Sequence, residues 1–423
     1  MYPSFHQHRV TLMGTTSVLI IGGGASGMIA AIVAARHNAE VTVLERLDRA
    51  GRKILATGNG RCNLTNMHCD VSHYHGRSPA FAASALDHFK PTDTLAFFDD
   101  LGLLCREEDG RRVFPISGQA SAVLDVLRFE LDRCRVRMVC GSRVKRIEPD
   151  RNGFSVQTQD GTTLSGNRVI IATGGKAAPN LGSNGSGYHL AEELGHHCVE
   201  PVPSLVQLNL PLPFLKQMDG VKVNGSVSLN DGERDLRTEQ GELLFTSYGI
   251  SGIPVLQVSR IASERLSVGE PTFLDIQLFQ GLSFEKIVSI IEKRMLDRPD
   301  LALDAGLIGF FHKRLIIPIL HAAEIRPPRK LCKELTVEEL NRLALILHRW
   351  RVPVIGTQSW MRAQVTAGGI DTAEINPEAM ESILVPGLHF AGEIIDIDGD
   401  SGGYNLQWAW SSGYAAGLHA ARR

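Results

Sequence analysis

The chain opens with an apolar run, Val18 to Ile21, that enters a glycine turn. From Ser26 to His37 the apolar residues follow helical spacing, and a second apolar run covers Glu40 to Glu45. This order predicts strand, helix, strand, the start of a β-α-β unit. Asn38 suits the left-handed residue that ends such a helix. Spacing from Pro79 to Leu101 is helical, Asp109-Gly110 marks a hairpin, and Ser117 to Cys134 is expected as a helix. Strands are expected at Arg137 to Glu148, Phe154 to Thr158, Thr162 to Leu164 and Arg168 to Ala172, with Asp160-Gly161 as a two-residue turn. They describe a small antiparallel meander that returns to a buried strand.

After Gly195 the texture changes. Pro201, Pro203, Pro211 and Pro213 break up short extended runs such as Leu205 to Leu210 and Val221 to Leu229. Strand-like segments are expected to about Leu278. Phe284, Ile287, Val288, Ile291 and Met295 then mark an amphipathic helix. Thr336 and Glu339 have capping-box spacing ahead of Leu340, Leu343, Ala344 and Leu347. From Val354 the strand and glycine-turn texture returns. The expected division is therefore a leader at 1–16, a first domain at 17–198 resuming at 354–423, and between them a β-rich insertion (199–281) and a helical one (282–353).

A length of 423 residues exceeds what one core usually fills, in keeping with several units. The formal net charge of −2 and the absence of a solid cationic run give no support to a polyanion partner, so no nucleic-acid role is expected. Seven scattered cysteines without a C-x-x-C pair argue against a zinc site and a disulfide framework, and for a reducing, cytoplasmic setting. Ser17 to Ala35 has four glycines and reads as strand, turn and helix rather than a signal or membrane segment. No metal or membrane association is expected.

Four blocks carry candidate chemistry. Gly22-Gly-Gly24-Ala25-Ser26-Gly27 has G-x-G-x-x-G spacing between strand and helix, so that a pyrophosphate could lie on the helix N-terminus. Glu45 ends the second strand, where a carboxylate accepts from an adenosine ribose. Gly51 to Asn66 is rich in glycine, amides and cations; it reads equally as a ligand-facing loop with Arg61 at a phosphate and as an exposed Asn59-Gly60 turn. Cys62 in that loop reads as a packing thiol more readily than as a nucleophile. Arg168 to Gly175 is a buried strand ending in glycines, either a ligand-facing strand end or an ordinary core strand. Gly182 to Tyr188 lacks a preceding strand and is not a second nucleotide fingerprint. Gly387 to Glu393 is a strand ending in an acid; it leads through Asp396, Asp398 and Asp400 to Gly402-Gly-Tyr-Asn405, which opens a helix. The acids lack the later Glu of a calcium loop.

Together and in this order the blocks resemble the glutathione-reductase-like flavoproteins. More narrowly, GRKILATGNGRCNLTN, AQVTAGGI, FAGEIIDIDG and SGGYNLQWAWSSG are similar to the YhiN/BaiN-like flavoproteins, also labelled the aminoacetone oxidase family. The resemblance implies an α/β fold: a Rossmann-like domain with a three-layer ββα sandwich that binds FAD non-covalently, interrupted by a β-rich and a helical insertion. It implies that Gly22, Gly24, Ala25, Ser26, Gly27, Glu45 and Arg46 hold the ADP half. It also implies that Lys53, Thr57, Gly58, Gly60, Arg61, Cys62, Asn63, Val144, Ala172, Thr173, Gly174, Gly392, Glu393, Gly402, Gly403, Tyr404 and Asn405 complete the cofactor site. Two departures stand out. Glu393 replaces the Asp of the wider superfamily. Ser247 and Ile253 stand where many relatives have His and Pro, which leaves Tyr248 and Cys62 as the candidate catalytic side chains.

The expected function is hydride transfer between an organic small-molecule substrate and flavin N5. No second fingerprint follows a strand, so NADH or NADPH would visit transiently, or dioxygen or a carrier would reoxidise the flavin. The alternatives are a non-catalytic flavin- or nucleotide-sensing protein and a simple NAD-dependent dehydrogenase.

Overall fold

A computed structural model describes residues 15–422, so the expected leader lies almost wholly outside the described residues. The first strand β1 (Ser17–Ile21), helix α1 (Ala25–Arg36) and strand β2 (Glu40–Leu44) form the opening unit, with Asn38 left-handed at φ 65° after the helix. The helical stretch from Pro79 is not continuous: one helix covers Ala82–His88 and another Pro91–Asp100. Pro91 forces extended geometry on Lys90 and so restarts the helix. The helix expected from Ser117 begins later, as α2 (Ala120–Arg133), because Gly118 is left-handed and Gln119 extended.

The single strand expected over Arg137 to Glu148 is two. A left-handed Gly141 separates β3 (Arg137–Val139) from β4 (Val144–Asp150). The meander continues through β5 (Gly153–Thr158) and β6 (Thr163–Gly166) into β7 (Arg168–Ile171), followed by the short helix α3 (Ser186–Glu192) and strand β8 (Cys198–Ser204).

The inserted part contains β9 (Lys222–Asn230), β10 (Asp235–Thr246), helix α4 (Ile253–Ser267), β11 (Phe273–Gln277), helices α5 (Phe284–Asp297), α6 (Lys313–Ala322) and α7 (Val337–His348), and β12 (Trp350–Pro353). Helix α4 corrects the expectation of strands up to Leu278. Gly252 at φ 110° and Pro254 in the first turn start it, and Val255, Leu256, Val258, Ser259 and Ala262 share its buried side. Thr336 and Glu339 form the expected capping box of α7.

The chain then returns through β13 (Val365–Ile370), β14 (Leu388–Phe390), β15 (Asp398–Gly399) and the closing helix α8 (Tyr404–Ala420). Two sheets organise the molecule. One is parallel, in the order β14-β7-β1-β2-β3, with the meander β4-β5-β6 beside it and α1 packed against α8. This is the three-layer α/β arrangement the resemblance implies. The other sheet is antiparallel and holds β9 to β12 over its own hydrophobic core, which runs from Leu208 to Val354. Strand β8 pairs with β13 of the returning segment, so the expected boundary at residue 199 falls inside a strand.

Candidate functional site

The turn after β1 is shaped by its glycines. Gly22 sits at φ 106°, its N–H donates to the Leu44 carbonyl (2.9 Å), and a Cβ there would lie 2.5 Å from the Ala172 carbonyl oxygen. A Cβ on Gly27 would lie 2.0 Å from the Gly22 oxygen, so only glycine lets α1 approach the strand this closely. Gly24 differs: a Cβ there would meet no described atom within 4 Å. The start of α1 has no side-chain cap and no acid in its first turn, which leaves N–H groups and the positive end of the helix dipole facing open space.

Glu45 borders that space and is largely buried. One carboxylate oxygen accepts from the Gly23 N–H (2.8 Å) and the other from the Leu47 N–H (2.7 Å). Each oxygen keeps a lone pair for a further donor. A narrow, partly open cleft lies here, walled by Gly22, Glu45, Arg46, Val144 and Thr173. Ser142, Arg143, Gly182, Ser186 and Leu190 also line it, and sequence reasoning missed them. Gly182 and Ser186 belong to the glycine-rich segment that is not a second fingerprint; it forms another wall of the same cleft. Arg46 donates to the Gly182 carbonyl (3.2 Å) and ties the walls together.

A second group of residues converges at the same carboxyl end of the parallel sheet, beyond the edge strand β14. Gly392 is left-handed at φ 78°, and a Cβ there would lie 2.5 Å from Ser26 Oγ. Its N–H donates to Ser412 Oγ (2.9 Å), and Trp408 Nε1 donates to its carbonyl (3.2 Å), so α1 and α8 both fix it. Glu393 accepts from Lys53 Nζ (2.8 Å) and from the Thr366 N–H (2.6 Å). Lys53 is thereby brought from the amide-rich loop to the end of β14. Gly174 faces the same place, with Glu393 Oε2 3.8 Å from where its Cβ would be.

Helix α8 opens at Gly402 and Gly403, with φ of 138° and 104°. A Cβ on Gly403 would lie 2.5 Å from the Thr65 oxygen, and Asn66 donates to the Gly402 carbonyl (3.0 Å). The loop 62–66 therefore presses on the start of α8. Asn63 Oδ1 points into this junction, buried and without a hydrogen-bond partner among the described residues.

Other candidates are placed differently. The Arg61 guanidinium pairs with Glu108 (2.5 Å) and lies 4.2 Å from the Phe114 ring centroid, on the neighbouring hairpin. Asn405 spends its side chain on Gly399, donating to its carbonyl (2.7 Å) and accepting from its N–H (2.8 Å). Tyr404 stacks on His73 at 4.3 Å. At these two positions the backbone, not the side chain, is left to meet a ligand. Thr57 donates its hydroxyl to the Ile54 carbonyl (2.6 Å). Cys62 is fully buried, and burial pushes its thiol up to about 12, so it stays neutral. Tyr248 lies in the inserted part, in the turn after β10, where its carbonyl accepts from the Leu210 N–H (3.1 Å).

The acids after Glu393 are taken up by cations and backbone. Asp398 is gripped by Arg260 and Asp400 by Arg237 and His75, while Asp396 accepts from the Arg77 N–H (2.9 Å). Burial raises Asp396 to about 6. Burial also works against the charge on Asp400, yet His75 and Arg237 hold it down at about 2.

Comparison with known proteins gives consistent matches along nearly the whole chain. The family described as "HI0933-like protein Rossmann domain" matches residues 16–419. A 3-dehydro-bile acid delta(4,6)-reductase from Clostridium scindens is 41% identical over 409 residues, covering 96% of this chain and 98% of that protein. A ribosomal RNA dihydrouridine synthase from Escherichia coli is 33% identical over 401 residues, covering 94% of this chain and 96% of that protein. Among solved structures, a 3-ketosteroid delta1-dehydrogenase from Sterolibacterium denitrificans aligns over 96% of this chain and 100% of that one, at 14% identity and a TM-score of 0.48.

Proposed function

The chain belongs to the HI0933-like Rossmann-domain family and is a flavoprotein oxidoreductase; from that premise we propose that it reduces a carbon–carbon double bond conjugated to a carbonyl. The two relatives' names share this chemistry. One reduces ring double bonds of a 3-oxo bile acid, and the other adds two hydrogens to a uracil ring.

The residues fit FAD on two counts. Gly24 leaves open the space a pyrophosphate would occupy, beside the uncapped start of α1 and the half-satisfied Glu45. At the other end, the buried Asn63 Oδ1 awaits a donor next to the first amides of α8. Gly22 to Gly27 with Glu45 and Arg46 would hold the ADP half. Lys53, Asn63, Gly174, Gly392, Glu393 and the Gly402-Gly403 backbone would hold the rest. FAD held there would supply two-electron, hydride-level redox chemistry for a conjugated carbonyl substrate.

The protein's part is orientation and electrostatics. The α1 amides neutralise phosphate charge, Glu45 orders the ribose, and the Lys53–Glu393 pair fixes one wall of the site. The α8 amides stabilise added negative charge on an electron-rich ring at that end. Cys62, neutral and enclosed, has no accessible proton to give. The observation that carries this reading is the convergence of two free helix N-termini with Glu45 and the unpartnered Asn63.

The test is anaerobic. Purified protein loaded with FAD is mixed with NADH or NADPH, and flavin absorbance at its visible maximum is followed. Bleaching, and recovery on adding a 3-oxo-4-ene steroid with saturated ketone as product, is the expected result. The low net charge counts against a polyanion partner, but relatives at 33% and 30% identity carry the ribosomal RNA name, so a uridine-containing RNA belongs in the same substrate panel. A flavin reduced chemically that is reoxidised by none of the conjugated carbonyl substrates would sink the proposal and favour a sensor.

A further inference from the structure

We infer that the inserted unit fixes the start of α8, and with it the flavin end of the site, through three positioning residues: Arg237, Gln257 and Arg260. The inference rests on the FAD reading above. Arg237 lies on β10 of the inserted sheet, and Gln257 and Arg260 are three apart on α4, on one face of that helix. All three reach across to the segment 398–401. Arg260 Nε donates to both oxygens of Asp398, at 3.0 and 3.2 Å, and the Ser204 hydroxyl adds a contact at 3.3 Å. Arg237 Nη2 donates to Asp400 Oδ1 (2.9 Å), and Gln257 Oε1 accepts from the Ser401 N–H (2.7 Å). The next two residues are Gly402 and Gly403.

This segment has little regular structure of its own. Strand β15 is two residues long and, among the described residues, pairs only with Tyr74–His75. From its own side it is held by His75 and His73 at Asp400 and by the Asn405 side chain. Two glycines in unusual backbone conformations then follow, so the orientation of the α8 amides depends on where residues 398–401 are anchored. The anchor is strong because Asp398 is only 1% exposed. An exposed ion pair would contribute little, whereas removing Arg260 strands a buried carboxylate unless the segment moves or takes up a proton. Either response alters the amides that face the cofactor.

The experiment compares the FAD-loaded wild type with Arg260→Met and with the double variant Arg260→Met/Asp398→Asn, which leaves no stranded charge. FAD dissociation constant, flavin midpoint potential and thermal midpoint are measured for each. Both variants are expected to bind FAD about tenfold more weakly and to have a more negative potential, because misaligned amides stabilise the reduced, negatively charged ring less well. The double variant is expected to recover thermal stability without recovering the potential, and Arg260→Lys to restore part of it. If Arg260→Met does not fold, the double variant decides. Wild-type affinity and potential in a folded variant, even one of lower melting temperature, would overturn the inference while leaving the cofactor reading intact. A wild type that takes up no FAD would overturn both.

Discussion

Gly24 and Gly27 are three residues apart in one motif, yet they answer different demands. A side chain at Gly27 collides with the Gly22 carbonyl, so the residue is required for packing; at Gly24 the space is empty, and on the proposed FAD reading a pyrophosphate would fill it. Gly24→Val is therefore expected to leave unfolding stability within about 0.5 kcal/mol of wild type and to remove most bound FAD. Gly27→Ala should lose stability by about 1–3 kcal/mol in the apo protein. Denaturant unfolding of apo protein and flavin content of purified protein separate the two, and full flavin content in Gly24→Val would show that the phosphates lie elsewhere. The glycine spacing and Glu45 were legible because they sit at short, fixed offsets within one strand-turn-helix-strand stretch. Arg61 was not. Its partners Glu108 and Phe114 lie on a hairpin whose approach to the loop no local pattern announces.

At the scale of elements, the close pair α1 and α8 joins the two ends of the chain. Gly413 and Gly417 lie one turn apart on α8. Added Cβ atoms would sit 2.4 Å from Ile29 Cγ2 and 2.4 Å from the Ala30 oxygen, respectively, so the backbones nearly touch. On the proposed FAD reading α1 would carry the phosphate-facing turn and α8 the flavin-facing one, so their separation would set the span of the site. Gly417→Leu should force the helices apart, costing about 3 kcal/mol or more and most of the FAD affinity. Denaturant unfolding and FAD titration check this; unchanged values would mean that the helices yield without moving the site. The small residues of α8 were visible in sequence, but their partner was not. Helix α4 was missed for the opposite reason: the prolines and short runs around it suggested extended chain, and its helical spacing was read as part of that texture.

At the scale of the whole molecule, two buried acids between β14 and α8 respond oppositely to pH. Asp396, raised to about 6 by burial, is charged at neutral pH at a cost to the folded state. Its folded value exceeds the usual 3.8, so the penalty this one carboxyl imposes on the fold is relieved as pH falls from about 6 toward 4. Asp396→Asn keeps an acceptor for the Arg77 N–H and should be more stable than wild type at pH 7 by on the order of 2 kcal/mol. That advantage should disappear near pH 4. Asp400 acts oppositely: burial opposes its charge, but His75 and Arg237 hold it at about 2, so the stability it contributes is lost as pH falls from about 4 to 2. Urea unfolding of both proteins from about pH 3 to about pH 8 is the measurement. An Asn variant no more stable at pH 7 would show that Asp396 is not strained there.

What the amino-acid order determined alone was the β-α-β opening, the dinucleotide turn, the acid at the end of β2 and the glycine-led start of α8. Each follows from periodicity or from a φ value that few residues tolerate, and both are properties of neighbouring residues. Tertiary structure decided which polar groups remained free. Arg260 meets Asp398 across 138 positions and Lys53 meets Glu393 across 340. Whether a carboxylate is spent on an arginine or kept for a ligand depends on which surfaces the packed core brings together, and short-range pattern carries no record of that distance.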